Sequence, residues 1–185
     1  MTDKKIKIAG IVGSLRDKSY NKATILAAKE LLAESVDMDV IFLSDIPMFN
    51  EDIEIQGIPE PVANLKKRLE DSDGVLIATP EYNFSMPAVL KNALDWASRG
   101  EVLPLYGKPL AIVSASMSML GGARVQYQLR QVCAALNLLP INRPEVFISN
   151  AHTKFDDDGK LIDEATKDIL KELLDALIDS VKNNK

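Results

Sequence analysis

Soft metal ligands are nearly missing from this chain, whose 185 residues include one cysteine, Cys133, and one histidine, His152. A lone cysteine excludes a disulfide framework within the chain. Without a Cys/His cluster there is no ligand set for structural zinc, an iron–sulfur centre or c-type haem. Excess positive charge is also missing: 22 basic against 27 acidic residues give a net charge of -5. Polyanion binding draws its affinity from surplus Lys and Arg, so nucleic acid is not an expected partner. No apolar run approaches the roughly 20 residues that span a bilayer. The opening MTDKKIKIAGIV has too short an apolar stretch and no small-residue cleavage site for a leader. A cytoplasmic protein is expected. What remains, 46% hydrophobic and 26% charged, is ordinary globular composition, expected as one domain over residues 1–185 that needs no covalent staple.

Short β-branched runs alternate with longer amphipathic stretches, the pattern of βαβ units around a parallel sheet buried on both faces. The runs are Lys5 to Val12, Met38 to Leu43, Gly74 to Thr79, Leu110 to Ala115 and Glu145 to Ser149. Helical spacing of apolar residues marks Asn21 to Glu34, Pro61 to Leu69, Pro87 to Ser98, Ala123 to Leu136 and Asp163 to Lys182. The chain is too short for a (β/α)8 barrel. The expected fold is therefore a flavodoxin-like three-layer α/β/α sandwich with five parallel strands in the order 2-1-3-4-5. Such sheets bind ligands beyond the carboxyl ends of their strands, which directs attention to the loops after strands one, three and four.

Each of those loops has unusual polar sequence. The first, GSLRDKSYN from Gly13 to Asn21, places an arginine, two serines and an asparagine at a helix start, where free N–H groups and the helix dipole favour an anion such as phosphate. Capping by Ser19 or Asn21 is the simpler use of those two residues. Neither G-x-x-x-x-G-K-[ST] nor G-x-G-x-x-G is present.

The second loop, TPEYNFSMP, holds Tyr82, Asn83 and Phe84 between Pro80 and Pro87, a rigid edge suited to a flat, heteroatom-rich ligand. Core packing is the alternative for the two aromatic rings, and packing is the expectation for Trp96. In the third, SASMSMLGGAR, Gly121 and Gly122 permit close backbone approach, while Met117 and Met119 suit either ligand cover or packing. His152 is expected in an exposed loop and Cys133 as a buried thiol. Asp156, Asp157 and Asp158 read as an acidic turn, because the following Gly159 comes too early for an EF-hand.

At GSLRDKSYN, PEYNFSMPAVLKNALDW and GGARVQYQLR, in that order, the chain resembles the NADPH-dependent FMN reductases, a flavodoxin-like family that includes bacterial quinone and chromate reductases. The resemblance extends over nearly the whole chain. It departs at Ala88, where the family pattern usually has glycine. It implies noncovalent FMN with NAD(P)H as cosubstrate. Carried over by position, Ser14, Arg16, Ser19 and Asn21 hold the 5′-phosphate. Pro80, Glu81, Tyr82 and Asn83, with Phe84 and Ser85, line the isoalloxazine edge, and Ser116 and Gly121 flank the ring or ribityl chain. Backbone N–H groups near Asn83 and Phe84 would face the pyrimidine edge of the ring. The chemistry is then the cofactor's, so no side chain is assigned as catalytic.

The implied acceptors are small molecules: quinones, free flavin, azo compounds or chromate. A homodimer or homotetramer is implied, with the helices carrying Leu90 to Trp96 and Val125 to Leu136 as candidate surfaces. Two other readings share the cofactor. One is a flavodoxin-like electron carrier, from whose T-x-T-G phosphate loop GSLR departs; the other is a flavin-binding regulatory module without turnover.

Overall fold

In the computed structural model, which describes residues 5–184, the β-branched runs become strands of one parallel sheet. Residues 1–4, which carry part of the leader reading, and residue 185 lie outside the described residues. The strands are β1 (Ile6–Val12), β2 (Val36–Ile41), β3 (Gly74–Thr79), β4 (Pro109–Ala115), β5 (Leu139–Pro140) and β6 (Val146–Ile148). Their order is β2-β1-β3-β4-β5, and β6 also pairs with β4. The expected order is present. The expected fifth strand, however, is divided: Leu139 and Pro140 pair with the start of β4, and Val146 to Ile148 with its end. Between them the chain leaves the sheet, and the Arg130 guanidinium holds the departing segment through the Ile141 carbonyl at 2.8 Å and Asn142 Oδ1 at 3.2 Å.

Central strands β3 and β4 are buried along their whole length, as a sheet covered on both faces requires. Helices α1 (Tyr20–Leu31) and α6 (Glu164–Asn183) cover one face. There Ile25, Leu170, Leu173 and Leu177 pack on Ile8, Leu76 and Val113. The other face, with Ile11, Ile77 and Ile112, meets Leu65 and Leu69 of α3 (Glu60–Glu70), Leu90 and Leu94 of α4 (Ala88–Ala97), and Leu129 and Cys133 of α5 (Ala123–Ala135). Each such leucine or isoleucine removed from water contributes about 1.5–3 kcal/mol, which is why apolar spacing alone locates these helices.

Edge strand β2 begins two residues before the apolar run. Val36 and Met38 pack on one face while Asp37 and Asp39 are exposed, so this end of the strand is read by alternation, and Ile41 packs on the opposite face. Helix α2 (Glu51–Gln56) has no buried residue and no apolar stripe for sequence reasoning to find. It is started by Asn50, whose Oδ1 accepts from Asp52 N at 2.9 Å.

Candidate functional site

Strand register brings the three polar loops side by side: Val12 pairs with Ala78, Thr79 with Ser114, and Ala115 with Ile148. Hydrogen bonds fasten the loops to one another. Gly13 N donates to Ala78 O at 2.8 Å. A Cβ on Gly13 would sit 3.0 Å from that same oxygen, so the residue serves close approach.

The loop after β1 gathers free donors suited to an anion. Among the described residues, the backbone N–H groups of Leu15, Asp17, Lys18 and Ser19 have no acceptor. Ser14 Oγ accepts from Arg16 N at 3.3 Å, and Ser19 Oγ accepts from Asn21 N at 3.2 Å and Lys22 N at 3.4 Å. Both hydroxyl protons therefore remain to be donated outward. The exposed Arg16 guanidinium lies 5.4 Å from the Tyr20 ring centroid. This donor set, together with the amino end of α1, fits a phosphate dianion.

Asn21 departs from the expected phosphate role. Its side chain is buried and points to β4, Nδ2 donating to Ala115 O at 3.0 Å while Oδ1 accepts from Ala115 N at 2.9 Å. Those bonds make Asn21 a brace between the first and third loops. Ser19 is the cap of α1, as its residue type suggests, with the hydroxyl proton still free.

In the loop after β3, Tyr82 N and Ser85 O, and Ser85 N and Tyr82 O, pair at 2.9 Å each. Asn83 at φ 50° and Phe84 at φ 65° form the corner in the left-handed region. Two-residue loops of this kind match strand twist, but normally with Asn or Gly at both corners. The Asn83 and Phe84 N–H groups have no acceptor among the described residues. Tyr82 and Phe84 are exposed, which removes the core-packing alternative.

Glu81 also departs from expectation. Its side chain turns to α5, where Oε2 accepts from Val125 N at 3.1 Å and Oε1 lies 3.3 Å from Arg124 Nη1. A carboxylate there complements the helix dipole, so Glu81 has only its backbone to offer a ring edge. Pro80 is buried at the foot of the loop.

After β4, Ser116 Oγ accepts from Ser118 N at 3.1 Å and leaves Met117 and Met119 exposed to solvent. The glycine turn permits the close backbone approach expected of it. At φ 58°, a Cβ on Gly121 would stand 2.8 Å from the Phe147 carbonyl carbon and the Ser149 nitrogen. The approach that Gly121 permits is to the end of β6.

The motif LKNALDW has a positional explanation that sequence reading missed. Asn92 Nδ2 and Trp96 Nε1 both donate to the Pro47 carbonyl, at 2.9 and 2.8 Å, and Asn92 Oδ1 accepts from Phe49 N at 2.7 Å. The segment after β2 is thereby fixed to the helix that begins at the Tyr82 loop. Trp96 is fully buried, as expected of packing. Beside the loop after β1, a cleft of about 260 Å³ runs between Arg16, Lys22 and Phe42. Two larger clefts, of about 400 and 380 Å³, lie by the strand starts near Asp37 and Lys29, away from these loops.

Burial pushes the Cys133 thiol up to about 12, leaving it protonated, and His152 is exposed. No group of three or more His, Cys, Asp and Glu side chains suited to a metal occurs among the described residues. None of the described helices is long and apolar enough to cross a membrane.

A parallel 2-1-3-4-5 sheet with free donors gathered after β1 and an exposed aromatic turn after β3 defines a flavodoxin-like protein. The family model of the NADPH-dependent FMN reductases matches residues 6–153, and the chain belongs to that family of FMN-dependent NAD(P)H oxidoreductases. It is 44% identical over 172 residues to an NAD(P)H-dependent FMN reductase of Pseudomonas aeruginosa, covering 93% of each chain. It is 38% identical to a quinone reductase of Escherichia coli, covering 90% of each. Among solved structures, the flavoenzyme NAD(P)H:(acceptor) oxidoreductase FerB of Paracoccus denitrificans superposes with TM-score 0.88 at 33% identity, over 97% of this chain and 98% of that one.

Proposed function

We propose that this chain moves two electrons from NAD(P)H through noncovalent FMN to quinones, with the phosphate held after β1 and the ring edge against the Tyr82–Ser85 turn. The observation that supports this reading is the set of unengaged donors: four backbone N–H groups, two serine hydroxyls and Arg16 after β1, and two N–H groups in the turn. When bound, FMN supplies the hydride and electron chemistry. The chain supplies position. Ser14, Arg16 and Ser19 neutralise and orient the phosphate, with Asn21 bracing the loop from behind. The Asn83 and Phe84 amides meet negative charge as it grows at the pyrimidine edge, a preorganised-dipole role. Ser116 and the exposed Met117 and Met119 border the ring from the β4 side.

The protein acts in the cytoplasm as a homodimer or homotetramer. The apolar stripes of α4 and α5 do not provide its contact, because Leu90, Leu94, Trp96, Val125 and Leu129 are buried within the chain. Apolar surface is instead available at the rim of the site, at Phe84, Met117 and Met119, and light scattering reads the resulting assembly.

The test is a fluorescence titration with FMN and riboflavin, followed by anaerobic addition of NADPH or NADH and then a benzoquinone. Wild type is expected to bind FMN, bleach on reduction and recover its colour with quinone. Arg16→Ala is expected to weaken FMN but not riboflavin, since only FMN carries the phosphate. Equal loss for both flavins would overturn the phosphate assignment, and bound FMN that does not bleach would overturn the reductase.

A further inference from the structure

Phe84 is an unfavourable residue for its position. A bulky L side chain at φ 65° meets steric resistance, and within the chain Phe84 is 64% exposed, so packing inside the chain does not hold it there. Over that ring lies the Arg124 guanidinium, 4.2 Å from its centroid. The same guanidinium approaches Glu81 Oε1 at 3.3 Å, and Glu81 in turn caps α5 through Val125 N. Arg124 thus grips the turn at two points, the residue before it and the strained residue within it. Its own backbone is fixed in the first turn of α5, which Gly122 enters at φ 83°.

We propose that Arg124 is a positioning residue, which holds the Tyr82–Ser85 turn in its left-handed conformation so that the Asn83 and Phe84 N–H groups are aligned before flavin binds. The inference rests on the reading of this turn as the flavin edge. The guanidinium lays its face on the Phe84 ring while one edge nitrogen reaches Glu81, two contacts that a compact ammonium does not make at once, so charge alone does not suffice. The benefit to binding is preorganisation: the ligand meets donors already ordered, without supplying that ordering itself.

The test uses Arg124→Met and Arg124→Lys. Amide hydrogen exchange on the flavin-free chain is read at Tyr82 and Ser85, the two N–H groups that close the turn. In Arg124→Met both are expected to exchange about fivefold faster, the combined size of an exposed cation–π contact and a surface ion pair, with β3 and α4 unchanged. Unchanged exchange at Tyr82 and Ser85 would overturn the proposal whatever the flavin does. With flavin, Arg124→Met is expected to weaken FMN and riboflavin by the same factor of about five, since the ring end and not the phosphate end is disturbed. A turn that loosens while both affinities stay at wild-type values would instead overturn the placement of the flavin edge.

Arg124→Lys separates position from charge. Misaligned Asn83 and Phe84 donors stabilise reduced flavin less, so bound FMN is expected to have a lower midpoint potential in Arg124→Met and, although the charge is kept, in Arg124→Lys as well. A wild-type potential in Arg124→Lys would show that charge alone matters and would overturn the positioning role.

Discussion

Asn21 reaches from the first turn of α1 to the last residue of β4 and satisfies both backbone groups of Ala115, with bonds of 3.0 and 2.9 Å. Removing it leaves a buried N–H and C=O unpaired, each costing roughly 1–3 kcal/mol. Asn21→Ala is expected to lower stability by about 3 kcal/mol in urea unfolding. FMN affinity should fall more than riboflavin affinity, because the brace holds the loop that carries the phosphate donors.

Gly121→Ala places a methyl group against backbone atoms of Phe147 and Ser149, which have no flexible end to move aside. Overpacking and the left-handed φ together are expected to cost about 3 kcal/mol. The midpoint of urea denaturation checks this, and a near-neutral result would show that β6 can yield.

Asn92→Ala strips Phe49 N–H of its partner while Trp96 still serves Pro47. The expected loss is about 2 kcal/mol. Limited proteolysis should show faster cleavage between residues 44 and 56, with cleavage near residue 115 unchanged.

Cys133, protonated up to about 12 by burial, should resist an aromatic disulfide reagent at pH 8 in the folded protein and react fully in denaturant. Rapid labelling without denaturant would mean that α5 opens from the sheet.

The hydrogen bonds and charge of Arg68, 2.5 Å from Asp39 Oδ1, hold the Asp39 carboxyl below its ordinary value against the opposing effect of burial. A carboxyl lowered in the folded state adds stability above its unfolded value and loses it as pH falls through the folded one. Asp39→Asn should therefore be less stable than wild type at neutral pH and equal to it in strong acid. The pair is partly exposed, so the neutral difference is expected to be below about 1 kcal/mol in urea titrations at each pH.

Apolar periodicity made five helices and the sheet order legible, because burial of those stripes dominates the folding energy. Helix α2 was illegible for the opposite reason, since it buries no residue. The divided fifth strand was hidden because Val146 to Ile148 carries the apolar pattern, whereas Leu139 and Pro140 join the sheet through only a short stretch of backbone pairing. At the site, residue types announced an anion cradle and a flat edge. They did not announce direction: an asparagine and a glutamate suited to ligand contact turn inward to Ala115 and to α5, which long-range packing decides. The signal for Arg124 was its place beside the glycine turn, but its relation to Phe84 requires the register that joins β3 to β4.

In each of the three ties that join the loops, at least one partner is main chain: the Ala78 carbonyl, the Ala115 peptide groups and the Val125 amide. Main-chain atoms persist through most substitutions. Side chains along the exposed stretch after β4, Met117 and Met119 among them, are thus free to diversify without loosening the scaffold beneath. New acceptor preferences can be written onto that stretch while the cofactor seat is inherited unchanged.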